Sequence, residues 1–196
     1  CAYFCGLSFY VDRRGLLPRY TIGQLITEEF KPWIQVPPTC ILDLCAGSGC
    51  IGISCAHVFP NARVTLSDIS EQALKVARKN VRHHKLSKRI KIVRSDFFSE
   101  VPEETYDLIV SNPPYVDAED YLDMPPEYSH EPRVGLVSGP DGLDSVRRLL
   151  SASANYLNEK GILVVEVGNS AQALEECFSN VPFIWVDFLE GDGGVF

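Results

Sequence analysis

Residues 40–52, CILDLCAGSGCIG, decide the fold class of this 196-residue chain. Residues 40–45 are apolar apart from Asp43, which predicts a strand that is buried on both faces. Gly47 and Gly49 follow directly, and an apolar segment of helical length comes next. A buried strand that passes through a glycine turn into a helix is typical of a parallel sheet with helices on both faces.

The same alternation continues along the rest of the chain. Strands are predicted at 62–68, 90–96, 106–112, 161–167 and 183–190, and helices at about 50–58, 70–84, 144–157 and 170–180. Gly193 and Gly194 turn the chain into a last strand at Val195, and strands joined by so short a turn run antiparallel. The sequence therefore predicts an α/β, Rossmann-like fold whose sheet is mostly parallel with one antiparallel strand.

The front of the chain is predicted to form a separate small unit. Residues 1–38 are expected to form a hairpin and a helix that lead into the main domain at 39–196. The hairpin is predicted around residues 13–15, with strands at 8–11 and 16–17, and the helix at about 22–33. This unit is expected to cover one edge of the cleft at the end of the sheet.

Composition restricts the location and the partners. No apolar run reaches the ~20 residues of a membrane span, and no signal peptide opens the chain, so the cytoplasm is the expected location. The seven cysteines are expected to be free thiols, and their spacing does not form a zinc site, so no metal is predicted. The net charge of −8 favours a basic protein partner over direct nucleic-acid binding.

Acidic residues end the next two predicted strands. Asp68 lies about 20 residues after the glycines, and a carboxylate at this spacing can accept both hydroxyls of a ribose. Asp96 precedes Phe97 at the end of the third strand, and this pair can bind the amine of an adenine and stack on its ring. A cofactor that contains adenosine is therefore predicted. NAD stays open on the glycines alone, because Gly52 completes a G-x-G-x-x-G pattern.

The fourth strand ends in Asn112-Pro113-Pro114-Tyr115, the most specific motif of the chain. The two prolines stiffen the backbone and leave its carbonyl groups free to accept hydrogen bonds. The Asn112 side-chain oxygen and the Pro113 carbonyl can each accept one N–H of a planar NH₂ group, while Tyr115 stacks on the attached flat group. These bonds would orient the nitrogen for attack on a methyl group. A long irregular loop follows to about Gly142, and such loops are usually functional.

These motifs resemble those of the S-adenosylmethionine-dependent methyltransferases of class I, which have a seven-stranded sheet and methylate planar amino nitrogens. Four further segments are similar to the protein-(glutamine-N5) methyltransferases, namely Leu17-Pro18-Arg19, His130-Glu131-Pro132, residues 139–143 (GPDGL) and Glu166-Val167-Gly168. The resemblance covers nearly the whole chain. It implies methyl transfer from S-adenosyl-L-methionine to the side-chain amide nitrogen of a glutamine in a protein.

Within this family the chain resembles the branch that modifies the third protein of the large ribosomal subunit. Residues 18–25 read PRYTIGQL, where the branch that modifies release factors typically reads Pro-Arg-Pro-Glu-Thr. Residues 117–120 (DAED), 168–170 (GNS) and 181–185 (VPFIW) also resemble the ribosomal branch. Modification of a release factor, methylation of an exocyclic amine in RNA or DNA, and a scaffold that only binds cofactor stay open as alternatives.

The resemblance also implies which residues form the site. Cofactor contacts are expected at Asp43, Cys45, Ala46, Gly47, Gly49, Asp68, Ile69, Asp96, Phe97 and Asn112. Catalysis is expected at Asn112, Pro113, Pro114 and Tyr115, with Arg19 and Glu166 on the substrate side. Cys45 stands where the family has glycine, which matters only if this residue must take a positive φ. Ala46 stands where the family often has threonine, and the family's helical N-terminal domain is absent from this chain.

Overall fold

The computed structural model describes residues 1–11, 20–115, 138–188 and 194–196. Its strands are β1 (Ala2–Phe4), β2 (Leu7–Phe9), β3 (Cys40–Leu44), β4 (Arg63–Asp68), β5 (Ile90–Arg94), β6 (Tyr106–Ser111) and β7 (Leu157–Val165). Its helices are α1 (Tyr20–Thr27), α2 (Cys50–Val58), α3 (Glu71–His83), α4 (Asp144–Ser153) and α5 (Ala171–Cys177), and a 3₁₀ turn at Gly168–Ser170 precedes the last. Strands and helices thus alternate as predicted.

The central sheet has the strand order β5-β4-β3-β6-β7, and all its neighbouring strands are parallel. β3 lies in the middle, and each of its residues is buried, as the apolar run predicted. The chain moves outward from β3 to β5 and then returns to the opposite side of β3 with β6. The order therefore reverses between β3 and β6, which is the position where open α/β sheets bind ligands.

The helices cover the sheet through faces that the sequence specifies. Residues 50–56 of α2 are buried on all sides, so this helix lies inside the largest apolar cluster. α3 is amphipathic and begins at Ser70, whose hydroxyl oxygen accepts the Ala73 N–H at 3.2 Å. This contact confirms the predicted helix cap, which satisfies one of the free N–H groups at the start of the helix.

The front hairpin lies earlier in the chain than predicted. β1 and β2 pair antiparallel through Cys5 and Gly6, whose φ angles of 49° and 72° are those of a two-residue type I′ turn. The predicted strand at 8–11 is present but lies over Leu7–Phe9, where it pairs with Ala2–Phe4. The predicted turn at 13–15 and its second strand lie outside the described residues.

The helix that follows is shorter than the predicted span of 22–33. α1 ends at Thr27, and Glu29 and Phe30 have φ angles of 58° and 55°. A right-handed helix cannot continue through residues in this left-handed region. Phe30 is instead fully buried in the largest apolar cluster, so core packing outweighs the helical pattern here.

The sheet contains five strands within the described residues, not the seven that the resemblance implied. Residues 183–188 form no strand, so the prediction at 183–190 is wrong over this part. The rings of Phe183 and Trp185 pack on Phe196, with centroids 4.7 and 5.6 Å away. Packing of aromatic side chains therefore holds this stretch, together with a backbone hydrogen bond from the Val186 N–H to the Val195 carbonyl at 3.0 Å.

An antiparallel element is nevertheless present at the end of the chain. Val195 forms an antiparallel bridge with Glu166, and the N–H of Val167 donates to the carbonyl of Gly194 at 2.7 Å. The predicted mixed sheet is thus confirmed by a shorter antiparallel segment than expected. Among the described helices, none is long and apolar enough to cross a membrane.

All seven cysteines are free thiols, as predicted. Burial raises the pKa of Cys5 to about 11 and that of Cys50 to about 12. Both groups therefore stay protonated near neutral pH and behave as small apolar side chains.

Candidate functional site

The carboxyl ends of the sheet strands lie in register around one cleft. Leu44 at the end of β3 pairs with Ser67 of β4 on one side and with Ser111 of β6 on the other. The hydroxyl of Ser111 donates to the carbonyl of Leu44 at 2.9 Å. The segments that follow these strands are therefore neighbours, although they are far apart in the sequence.

Asp43 is a fully buried carboxylate in β3. Its Oδ2 accepts the N–H of Gly52 at 2.8 Å, whereas Oδ1 has no hydrogen-bond partner within the described residues. Burial raises the pKa of Asp43 to about 8, although the Gly52 hydrogen bond opposes this shift. A buried carboxylate oxygen without a partner is costly, and a cationic donor beside it would remove that cost.

The loop after β3 has the backbone that its glycines suggested. Gly47 and Gly49 have φ angles of 55° and 81°, and Cys45 has a φ of 58°. A Cβ on Gly49 would lie 3.0 Å from the Leu66 side chain, while a Cβ on Gly47 would meet no atom within 4 Å. Gly49 thus permits α2 to pack on the sheet, and Gly47 leaves the backbone open to a ligand.

Asp68 fixes the shape of this loop from the end of β4. Its Oδ2 accepts the Gly47 N–H at 2.8 Å, and its Oδ1 accepts the Ser70 N–H at 2.7 Å. Ala46 is buried and donates its N–H to the carbonyl of Ser67 at 3.0 Å. Burial raises the pKa of Asp68 despite the two backbone hydrogen bonds. Because each carboxylate oxygen has a second lone pair, Asp68 can still accept ligand hydroxyls.

Asp96 and Phe97 follow β5 in a strained loop. Phe97 has a φ of 51°, which is unusual for an aromatic residue. Ser95 is buried, and its hydroxyl donates to the Phe97 carbonyl at 2.7 Å. Ile69 follows β4 and is 45% exposed, so it offers an apolar surface near this edge. The strand ends thus provide an acid, an aromatic ring and an aliphatic side chain that suit a flat heterocycle.

The segment 112–115 leaves the end of β6 beside β7. Asn112 is partly exposed, and its side chain makes no hydrogen bond with any described residue. The carbonyl of Tyr115 accepts the Ser170 hydroxyl at 2.8 Å. Gly168 has a φ of 49°, and a Cβ there would lie 2.7 Å from the Tyr115 ring. The ring therefore packs against the Gly168 backbone, which explains why this position needs glycine.

One of the two residues predicted on the substrate side lies at the end of β7. Glu166 is 2% exposed and directly follows β7, and its N–H donates to the Ser111 carbonyl at 3.0 Å. It therefore lies at the same sheet edge as Asn112. Arg19 lies outside the described residues.

These groups fit some cofactors better than others. The unpartnered oxygen of Asp43 suits an ammonium or another cationic group. The N–H of Gly52 at the start of α2 already donates to Asp43 and is not available to a pyrophosphate, which counts against the NAD alternative. Among the described residues, no group of three or more His, Cys, Asp or Glu side chains can hold a metal ion.

A comparison with family models identifies the fold family of this chain. The model described as "Methyltransferase small domain" matches residues 25–124. The match contains β3 to β6 and the whole segment 112–115. The chain belongs to the methyltransferase small domain family.

Curated relatives of this methyltransferase domain share nearly half of its residues. The "Ribosomal protein uL3 glutamine methyltransferase" of Francisella tularensis is 48% identical over 99% of the chain and 62% of its own length. The protein of that name from Neisseria meningitidis is 46% identical over 96% of the chain and 63% of its own length. The chain thus spans less than two thirds of either relative.

A solved structure also has the same fold. The catalytic domain of hMettl16, in complex with MAT2A 3′UTR hairpin 6, superposes with a TM-score of 0.68 at 20% identity. The similarity covers 97% of this chain and 73% of that one.

Sequence reasoning missed Arg148, which lies on α4 of this methyltransferase domain. Its Nη2 lies 2.9 Å from Oδ2 of Asp96, and its guanidinium carbon lies 4.5 Å from the centroid of the Phe97 ring. One side chain thus contacts both residues of the predicted adenine site. No local pattern could have identified it, because α4 is distant from Asp96 in the sequence and approaches it only through the fold.

Cys45 is the departure from the family that the structure makes important. Its φ of 58° lies in the left-handed region, where a residue with a side chain costs about 1–2 kcal/mol relative to glycine. Burial raises the pKa of the Cys45 thiol far above its usual value. The thiol is therefore not a nucleophile near neutral pH, and the residue differs from glycine mainly through backbone strain.

Proposed function

We propose that this protein uses S-adenosyl-L-methionine to methylate the side-chain amide nitrogen of a glutamine in ribosomal protein uL3. The observation that carries the proposal is the position of Asn112-Pro113-Pro114-Tyr115 at the sheet's switch point, beside the loop that follows Asp43. Membership of a methyltransferase family and the names of two relatives support the same reaction. We place the reaction in the cytoplasm, where ribosomal proteins are made.

In this proposal the β3–β5 side of the cleft holds the cofactor. Asp43 would pair its Oδ1, which has no partner among the described residues, with the ammonium group of the methionine part, next to Cys45, Ala46 and the open backbone of Gly47. Asp68 would accept the ribose hydroxyls. When bound, S-adenosyl-L-methionine supplies a methyl group on a positively charged sulfur atom, which is an electrophile.

The adenine would lie between the β4 and β5 ends. Ile69 and Phe97 offer apolar faces to the ring, and Asp96 accepts a hydrogen bond from its amine. Arg148 holds Asp96 and Phe97 together from α4. It is thus a positioning residue in this proposal.

The β6–β7 side would hold the glutamine amide. The Asn112 side-chain oxygen and the Pro113 carbonyl would accept the two N–H groups, and the Tyr115 ring would stack on the planar amide. Accepting two hydrogen bonds places partial negative charge next to the NH₂ group, which favours the transition state in which positive charge develops on nitrogen. Glu166, at the end of β7, would line the same side.

Orientation and electrostatics are the main contribution of these residues. The lone pair of an amide nitrogen is delocalised, so this nitrogen reacts only when it is held in line with the methyl group. The nitrogen becomes acidic when its bond to the methyl group forms, so a proton can leave to water afterwards. The proposal therefore needs no strong base among the side chains.

The direct test uses methyl-labelled S-adenosyl-L-methionine with purified protein. Separate reactions contain uL3, a peptide-chain release factor and protein-free RNA. The proposal expects label on uL3 alone, in a form that peptide mapping assigns to a glutamine side chain. Label on the release factor would keep the chemistry and change the substrate, whereas label on RNA alone would reject a protein substrate.

A further inference from the structure

Half of the basic residues of this acidic protein lie in one short segment. Nine of the 18 lysines and arginines fall between Lys75 and Arg94, and residues 72–95 contain no aspartate or glutamate. The rest of the chain carries nine basic residues against 26 acidic ones. The net charge of −8 therefore conceals a strongly basic region.

This segment forms α3, the turn after it, and β5. β5 is the edge strand of the sheet, and α3 packs against it. A groove of about 190 Å³ runs between them, lined by Arg78, Val81, Arg82, Ser87, Ile90 and Ile92. We name the surface formed by Arg78, Arg82, Lys85, Lys88, Lys91 and Arg94 the basic face.

Several cations of the segment already have structural partners. Arg78 pairs with Glu71 at 2.7 Å, and Arg89 donates to the carbonyls of Ala56 and Ala62. Four other cations of the segment are exposed and form no ion pair with any described residue, namely Arg82, Lys85, Lys88 and Lys91. They are therefore available to an anionic partner.

Lys85 indicates that a cation at this surface has a function beyond the fold. It follows the end of α3 with a φ of 58°, and helices usually place glycine or asparagine at this position. A lysine here adds backbone strain, and its exposed ammonium makes no ion pair with a described residue that would compensate for it.

Two general roles of surface charge explain only part of this pattern. Lysine on an edge strand prevents pairing with other chains, which accounts for Lys91. Cations in the last turn of a helix interact favourably with its dipole, which accounts for Arg82. Neither role requires Lys85 or Lys88.

We propose that the basic face binds single-stranded RNA. The groove places the partly exposed Ile92 next to Arg78 and Arg82, whereas Val81 and Ile90, which also line it, are buried. The Ile92 side chain can contact the flat face of one base, and guanidinium groups bind phosphates through paired hydrogen bonds. An acidic peptide offers carboxylates but no flat ring. α3 is about 20 Å long, so its cations can contact several phosphates of one strand.

RNA binding would also suit the proposed function, because a ribosomal protein is found together with RNA. The binding itself does not depend on that function. It can be measured without cofactor or methyl transfer, so failure of one proposal leaves the other intact.

The test is a fluorescence anisotropy titration of a short labelled single-stranded RNA with the purified protein over a salt series. Four free cations predict a slope of log affinity against log salt of about −3. The variant R82E/K85E/K88E should lose at least about tenfold in affinity. The matched control K31E/R63E/K160E changes the net charge equally at exposed sites elsewhere and should lose much less.

A single substitution separates binding from folding. Lys85→Gly should leave the melting temperature unchanged or higher, because glycine accepts the positive φ, and should still weaken RNA binding and reduce the salt slope by about 0.7. Equal losses in the two triple variants would overturn the proposal. So would competition by poly-glutamate as effective as competition by unlabelled RNA at equal charge, because the face would then bind acidic proteins.

Discussion

The two sides of the cleft are held in different ways. On the β3–β4 side, Asp43 and Asp68 together accept three backbone N–H groups, so these two carboxylates shape the loop. On the β6–β7 side, the Asn112 side chain makes no hydrogen bond with the described residues, and Tyr115 is fixed by Ser170 and by the Gly168 backbone. Substitutions on the first side should therefore change binding and folding together, whereas Asn112 can be changed with an effect on chemistry alone.

The largest effect is expected for Asn112→Ala. Loss of an acceptor that stabilises the transition state should lower the turnover number by about 10²–10³-fold. Cofactor affinity and melting temperature should stay close to those of the wild type, because the removed amide supports no other described group. Stopped-time assays with labelled cofactor and calorimetric cofactor titrations measure the two quantities.

Asn61→Ala is the matched control for this variant, since Asn61 is an exposed residue in a turn before β4. It should leave turnover unchanged. Comparable losses of turnover and cofactor affinity in Asn112→Ala would remove the contrast between the two sides and give Asn112 a structural role.

Asp68→Ala should give the next largest effect and should change two properties at once. Loss of hydrogen bonds to a charged group should weaken cofactor binding by roughly 1.5–3 kcal/mol. The N–H groups of Gly47 and Ser70 also lose their acceptor, so the free energy of unfolding should fall by about 1–3 kcal/mol. Denaturant unfolding and cofactor titration measure both.

Asp68→Asn sharpens this test, because an amide oxygen can still accept one of the two backbone hydrogen bonds. It should recover part of the stability but less of the affinity. Unchanged cofactor affinity in both variants would exclude Asp68 from the site.

The elements that the sequence predicted well have local signals. The strand β3 is apolar on both faces, and the glycines after it mark a turn, so Asp43 and Gly47 could be placed without any structure. The real front hairpin turns at Cys5-Gly6, which is a weaker signal than Asn-Gly or Asp-Gly. The stretch 183–188 has the composition of a strand, but its aromatic side chains pack on Phe196, and only the tertiary structure shows this.

The residues of the candidate site also divide into those that have a local sequence signal and those that have none. Asn112 and Tyr115 could be predicted because the motif around two prolines is specific. The positive φ of Cys45 and the contact of Arg148 with Asp96 could not, because both depend on how distant segments meet. The charge of the basic face was readable in the sequence, but the net charge masked it.

The pKa of Asp43 predicts how cofactor binding depends on pH. An ammonium group binds the ionised carboxylate, and the ionised fraction rises as pH increases through about 8. Cofactor affinity should therefore fall by about fivefold between pH 8 and pH 7, as protonation of Asp43 competes with binding. Calorimetric titrations at several pH values measure this dependence.

Asp43→Asn separates Asp43 from the titration of the cofactor itself, which persists in the variant. The variant should bind more weakly and should lose the part of the pH dependence that comes from Asp43. The same pH profile in both proteins would show that Asp43 does not bind a cationic group.

The smallest effect is expected for Cys45, whose positive φ adds backbone strain on the β3–β4 side of the cleft. Cys45→Gly should raise the free energy of unfolding by about 0.5–1 kcal/mol, because the relief of the positive φ exceeds the greater chain entropy of glycine in the unfolded state. Cys40→Gly, at the start of the strand that precedes Cys45, has no positive φ to relieve and leaves a gap in a buried position, so it should destabilise the protein. Denaturant unfolding of both variants measures the difference. Cys45→Gly could instead become more stable and bind the cofactor more weakly. That outcome would mean that the strained backbone shapes the binding loop, so that strain on this side of the cleft contributes to function.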